Sequence, residues 1–233
     1  MKKKLCAAVL ALSMACPSFH AQNLVNETPE QKDKRMEWFH KAKLGIFIHW
    51  GIYAVKGVSE SWSFYNKYLP HDEYLKQCEG FTASKYDPKA WVELIKESGA
   101  QYTVLTTKHH DGVALWDTKQ NGISVVKNTP AKRDLVTPFV NEVRKAGLRL
   151  GLYYSLPDWS HPDYPNMTRT DVRYKDDPKR WDDFCKFNFG QLKELNTTYK
   201  PDLYWFDGDW EMSAETWRAK GIMELLRSTN KNV

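Results

Sequence analysis

The sequence has no apolar run long enough to cross a bilayer. Its longest, Leu5 to Ala15, holds 11 residues, against the roughly 18–20 that a span needs. It has no glycine-rich turn after its first strand-like segment, so nucleotide binding on a doubly wound sheet loses its main signal. No serine sits in a G-x-S-x-G elbow and no cysteine lies beside a histidine, which removes the usual nucleophilic hydrolases. Cysteine itself is scarce, at four in 233 residues, so a disulfide scaffold is excluded. Excess charge is also lacking. The formal charge is +5, but Lys2, Lys3 and Lys4 supply three of it. Without them 31 basic residues face 29 acidic ones, and no basic stripe remains for nucleic acid.

What is present is ordinary globular composition, 42% hydrophobic and 27% charged, with 10 Trp and 12 Tyr. Such aromatic weight suits both a large core and a pocket for a ring-shaped ligand. Lys2–Lys4, the short apolar run and the small residue Ala21 before Gln22 together read as a secretory leader over 1–21. The expected location is therefore exported, periplasmic or secreted. Cys16 offers a less favoured alternative as a lipid-anchored residue. Cys6 and Cys16 belong to the leader, which leaves Cys78 and Cys185 as expected buried free thiols. Three N-x-[ST] sequons start at Asn26, Asn166 and Asn196.

Past a polar lead-in over 22–36, strands and helices alternate. Strands are expected at about 44–49, 102–107, 148–154 and 203–207. Helices are expected between them, the first capped by Asp87 with Pro88 at its first position and Trp91, Leu94 and Ile95 on its apolar stripe. Others are expected over about 137–146, 178–195 and 214–227. Four β-then-α units imply a parallel sheet with right-handed crossovers. The class is α/β, and the position of the polar residues favours a (β/α)8-like barrel of which this chain supplies the first four units. Domain organisation is then a leader over 1–21 and the N-terminal portion of a catalytic barrel over 22–233.

Each strand ends in residues able to do chemistry. The first ends at His49, the second at His109 and His110, the third at Tyr153, Tyr154 and Ser155, and the fourth at Asp207, with Asp209 and Glu211 behind it. In a barrel these ends share one rim, where active sites sit. Histidines and a carboxylate can hold a metal, but Gly208 falls at the second position of its acidic loop, unlike a calcium loop. A carboxylate flanked by Trp205 and Trp210 and facing His and Tyr donors suits a sugar. Rings stack on its apolar face, N–H groups bind its hydroxyls, and the carboxylate can attack the anomeric carbon.

Four segments in order, Gly45 to Gly51 (GIFIHWG), Lys108 to Gly112 (KHHDG), Gly151 to Ser155 (GLYYS) and Pro201 to Gly208 (PDLYWFDG), resemble the α-L-fucosidases of glycoside hydrolase family 29. The resemblance runs from about residue 36 to the end. It implies a (β/α)8-like catalytic barrel followed by a β-sandwich, and a retaining hydrolysis of terminal α-L-fucose from glycans or glycoconjugates. Asp207 matches the family's nucleophile. His49, His109 and His110 match histidines on the fucose hydroxyls, and Trp62, Tyr154 and Trp205 match further substrate-binding residues. No metal, other cofactor or nucleic-acid partner is implied, and oligomeric state is not addressed. Many relatives carry Glu directly before the tryptophan that matches Trp62, where this chain has Ser61, with Glu60 one residue earlier. The resemblance also places the acid/base carboxylate and four further strands beyond Val233. The 233 residues are accordingly expected to be an N-terminal piece that is inactive alone. A sugar-binding remnant without turnover and a metal-dependent hydrolase stand as the alternatives.

Overall fold

The structure, a computed structural model, describes residues 27–233. The expected leader, with Cys6, Cys16 and Asn26, lies outside the described residues. Among those described, no helix is long and apolar enough to cross a membrane.

Four strands form one sheet: β1 (Gly45–Ile48), β2 (Tyr102–Lys108), β3 (Arg149–Ser155) and β4 (Leu203–Asp207). They lie in the order β1-β2-β3-β4 and every pair is parallel. The expected order and direction are therefore found, with ends within two residues. Parallel neighbours need long crossovers, and helices supply them. The helices α5 (Pro88–Glu97), α7 (Val136–Lys145) and α8 (Pro178–Tyr199) return the chain between strands, and α9 (Ala219–Thr229) follows β4.

Alternation along each strand sorts side chains by face. Ile46, Ile48, Leu105, Leu152 and Tyr154 join the core made with the helices. Phe47, Val104, Tyr153 and Trp205 take the other face: Val104 and Tyr153 are buried apart from that core. There, Phe47 touches Tyr153 and Trp205, with ring centroids 5.8 and 5.4 Å apart. Phe47 and Trp205 stay exposed.

Local chemistry explains most helix boundaries. Asp87 accepts a hydrogen bond from the Ala90 amide, with Pro88 in the first turn. Asp177 caps α8 in the same way through Arg180. The apolar stripe of α5 differs from expectation. Val92 and Ile95 are buried, whereas Leu94 is 65% exposed, because the residue three before Ile95 shares its face and the adjacent one does not. The polar lead-in is not a loose segment where it is described. It carries α1 (Pro29–Ala42), closed by a capping box in which Thr28 and Gln31 satisfy each other's backbone. The last helix starts at Ala219 rather than 214, since 214–218 form turns and Arg218 takes a left-handed φ of 56°.

The long β1–α5 connection folds into a 3-10 turn and short helices α2 (Trp62–Tyr65), α3 (His71–Leu75) and α4 (Gln77–Gly80). The β2–α7 connection holds α6 (Val125–Asn128). It is tied to α8 by Glu194, which accepts from Trp116, Thr118, the Lys119 amide and Gln120. Cys78 and Cys185 are free and buried, as expected. Asn196 is fully buried and donates to Leu226 O and Thr229, so that sequon is a structural one.

Leu152 lies at zero exposure between sheet and helices. Leu152→Ala is expected to cost about 2–5 kcal/mol in urea unfolding. Leu94→Ala, on the exposed side of α5, is expected to stay within about 0.5 kcal/mol. Equal losses at the two positions would contradict the assigned faces.

Candidate active site

The strand ends converge. The imidazole rings of His49 and His109 lie 4.8 Å apart, and those of His109 and His110 lie 4.4 Å apart. His110 Nε2 is 3.6 Å from Asp207 Oδ2. Trp62 brings its ring within 5.5 Å of His110 and 5.0 Å of Trp159. Trp205 sits two residues before Asp207 on the same face, 53% exposed. His49, Trp62, His109, His110, Trp205 and Asp207 are thus brought to one place.

Tyr154 is not. Strand alternation sends it to the helix side, where it is fully buried. Its hydroxyl lies 2.8 Å from both Asn188 Oδ1 and Gln191 Oε1 and accepts from Lys108. The tyrosine at the site is Tyr153, whose hydroxyl donates to Asp207 Oδ2 at 2.6 Å. The register carried the signal: Tyr153 pairs with Trp205 and Ser155 with Asp207, so position 153 shares the face of both.

Ser155 does a second job. Its hydroxyl donates to Pro157 O at 2.6 Å and lies 2.6 Å from His110 Nδ1. A hydroxyl has one proton, so His110 must donate from Nδ1 to Ser155. That leaves the Nε2 lone pair of a neutral His110 bare. Nε2 is buried and has no hydrogen-bond partner, and it faces the Asp207 carboxylate. Buried polar atoms rarely stay unpaired without a functional reason.

On the far side of the histidines, Ser61 is hydrogen-bonded to His109 Nδ1. Glu60, at a left-handed φ of 47°, puts its carboxylate 3.5 Å from His49 Nε2 and 3.9 Å from His109 Nε2. The Ser61 side chain therefore orients a histidine, while Glu60 presents the acid.

Two glycines permit this crowding. Gly112 and Gly208 both have φ near +78°. A Cβ on Gly112 would lie 2.2 Å from the Asp158 carboxylate, and one on Gly208 would lie 2.3 Å from the Pro157 ring. Any side chain there would push the β3 loop off the histidines.

Charge beneath the site is paired. Lys108 is fully buried, 3.6 Å from Asp158, and burial pushes its amine down to about 8 against the pull of Asp158. Burial raises the Asp111 carboxyl to about 6, opposed by the hydrogen bond from Tyr74. Glu211 accepts from Trp159, Tyr164 and Asn166. Its oxygens are occupied in fastening the loop after β3 to the turn after β4, so it is a structural clamp and not a free carboxylate.

A family profile described as Alpha-L-fucosidase matches residues 12–233. The chain belongs to the alpha-L-fucosidase family. The mouse (Mus musculus) tissue alpha-L-fucosidase is 34% identical over 210 residues, covering 81% of this chain and 44% of that protein. Among solved structures, alpha-L-fucosidase isoenzyme 1 from Paenibacillus thiaminolyticus superposes with a TM-score of 0.80 at 38% identity, covering 87% of this chain and 49% of that one. A GH29 alpha-L-fucosidase from Bacteroides thetaiotaomicron, a trapped covalent intermediate in complex with 2-fluoro-fucosyl fluoride, gives 0.72 at 35%, covering 83% and 47%. The chain spans about half the length of the curated relatives it matches. Its parallel sheet and crossover helices are those of a partial (β/α) barrel, as in the GH29 structures it resembles.

Burial, then the adjoining imidazoles, holds His109 well below its usual range. Burial lowers His110 to about 4, with Asp207 pulling the other way. The unfolded chain protonates histidine near about 6.5. As pH falls from there towards 4, protons favour the unfolded state, so stability is lost over that window. Asp111 has the opposite sign, because the folded state takes up its proton first. Two histidines outweigh one carboxyl, and the urea midpoint is expected to fall between pH 7 and 5. Imidazole NMR should show both rings neutral at pH 5.5. Titration of either ring near 6.5 would contradict their burial.

Proposed function

We propose that the site is the fucose-binding half of a retaining α-L-fucosidase, with Asp207 as the nucleophile. The observation that carries this reading is the bare, buried Nε2 of His110 facing the Asp207 carboxylate. A sugar hydroxyl is a donor and acceptor of the right size to fill such a place. His49 and His109 supply further imidazole contacts beside it, and Trp62 closes that side. Phe47 and Trp205 make an exposed apolar wall on the same face. A deoxy sugar such as fucose has a methyl group in place of one hydroxyl, and that wall suits it.

In the proposed step, Asp207 Oδ attacks the anomeric carbon as the glycosidic bond breaks, giving a covalent fucosyl-enzyme that water then hydrolyses. The Tyr153 hydroxyl donates to the same carboxylate and holds it in place. The trapped intermediate of the Bacteroides relative supports such a route. Asp209 and Glu211 fit the role less well. Asp209 lies exposed in the turn beyond Gly208, and the Glu211 oxygens already accept three hydrogen bonds.

Retaining chemistry also needs an acid/base carboxyl about 5–5.5 Å from the nucleophile. Neither Asp209 nor Glu211 is assigned that role. The charge and apolar run of 1–21 support an exported location for the protein.

An aryl α-L-fucoside whose leaving group needs no protonation tests the nucleophile apart from the acid. In the longest form of the protein that can be expressed, Asp207→Ala is expected to cut its turnover at least about 10³-fold. Azide should restore part of the rate and give a fucosyl azide of inverted configuration. Near-normal turnover in Asp207→Ala, with loss in Asp209→Ala, would move the nucleophile to the neighbouring residue.

A further inference from the structure

We propose that His109, His110 and Asp207 form a site for a single divalent cation of borderline softness, Zn2+ in particular, and that the cation shuts the sugar site by occupying it. The competition rests on the fucose reading above; the cation site does not. One ligand atom from each of the three residues lies within 4.8 Å of the others. The closest pair, His110 Nε2 and Asp207 Oδ2, is 3.6 Å apart. Two ligands at zinc bond lengths on a tetrahedron sit about 3.4 Å apart. Side-chain shifts of a few tenths of an ångström on that pair therefore suffice.

The hydrogen bonds around the cluster point the same way. Ser155 spends its proton on Pro157 O and so holds His110 with Nδ1 protonated. The Nε2 lone pair then faces a carboxylate oxygen across a gap with no proton between them. Two electron-rich atoms so placed repel each other, and a cation between them turns that repulsion into two bonds. Ser61 engages His109 Nδ1, which leaves Nε2 as the free nitrogen of that ring. A hydrogen bond on the second nitrogen is the usual support of a metal-binding histidine. Tyr153 on Asp207 Oδ2 and the Gly208 amide on Oδ1 hold the carboxylate in place. Three protein ligands leave a fourth position for water. With the ion bound, the Asp207 oxygen is no longer free to attack carbon, so the ion inhibits and does not assist.

Calorimetric titration of tag-free protein with zinc chloride, paired with the visible spectrum of the cobalt(II) adduct, tests the site. One ion per chain and intense tetrahedral cobalt bands are expected. Asp207→Asn keeps the shape of the side chain and should weaken zinc at least about tenfold, and Ser155→Ala by about tenfold. Glu60→Gln is expected to change affinity less than about threefold. A large loss in Glu60→Gln with none in Asp207→Asn would overturn the proposal and place the ion among His49, Glu60 and His109. Absence of zinc binding at millimolar concentration would also overturn it. Saturating L-fucose should weaken apparent zinc affinity; zinc binding indifferent to fucose would overturn the competition. A protein that binds zinc as stated but neither binds nor cleaves fucosides would sink the sugar reading and leave the cation site standing.

Discussion

Parallel pairing in chain order is the constraint on which the rest of the molecule depends. Because β1 to β4 all run one way, their C-terminal ends stop at one edge, and four short segments far apart in sequence meet there. Register then decides which side chains reach the site. Ser155 opposes Asp207 and Tyr153 opposes Trp205, so a carboxylate, its hydrogen-bond donor and the histidine's anchor arrive together. The register shift between Thr106 and Lys108 sends Lys108 to the helix side beside Tyr154. His109 and His110 follow at the rim.

Electrostatics around that rim is arranged in two layers. Underneath, Lys108 and Asp158 form a buried pair, and Asp158 also accepts the amides of Ser160 and His161. Burial of one charge is tolerable because the other is there. Above, His109 and His110 are kept neutral by burial, and with Nδ1 of each held by a serine, Nε2 is left to bind a hydroxyl. Glu211 and Arg173 fix the loop over both layers. Arg173 donates to the carbonyls of Trp159, Tyr164 and Asn166, while Glu211 holds the side chains of the same three residues. Trp159 is thereby locked against His110, with ring centroids 4.5 Å apart.

Much of this was legible in the sequence. Apolar runs ending in His49, His109 and Asp207 marked both the strands and the rim. The cap at Asp87 is local chemistry and read directly. What was not legible depends on face and on contact. Tyr153 and Tyr154 are adjacent and identical, and only pairing with β4 tells which one meets Asp207. The helix α1 has little apolar patterning, with Ala42 its one buried residue, so its capping box was the available signal. Glu60 and Ser61 exchange roles through a left-handed backbone that no periodicity reveals.

The central claim is that Asp207 bonds to the sugar. Incubation with 2-deoxy-2-fluoro-fucosyl fluoride followed by peptide mass mapping tests it most directly, since fluoride leaves without an acid and the 2-fluoro group slows hydrolysis of the adduct. The account predicts one fucosyl adduct per chain, on Asp207. An adduct on Asp209 or Glu211, or no adduct on a protein that cleaves aryl fucosides, would contradict it.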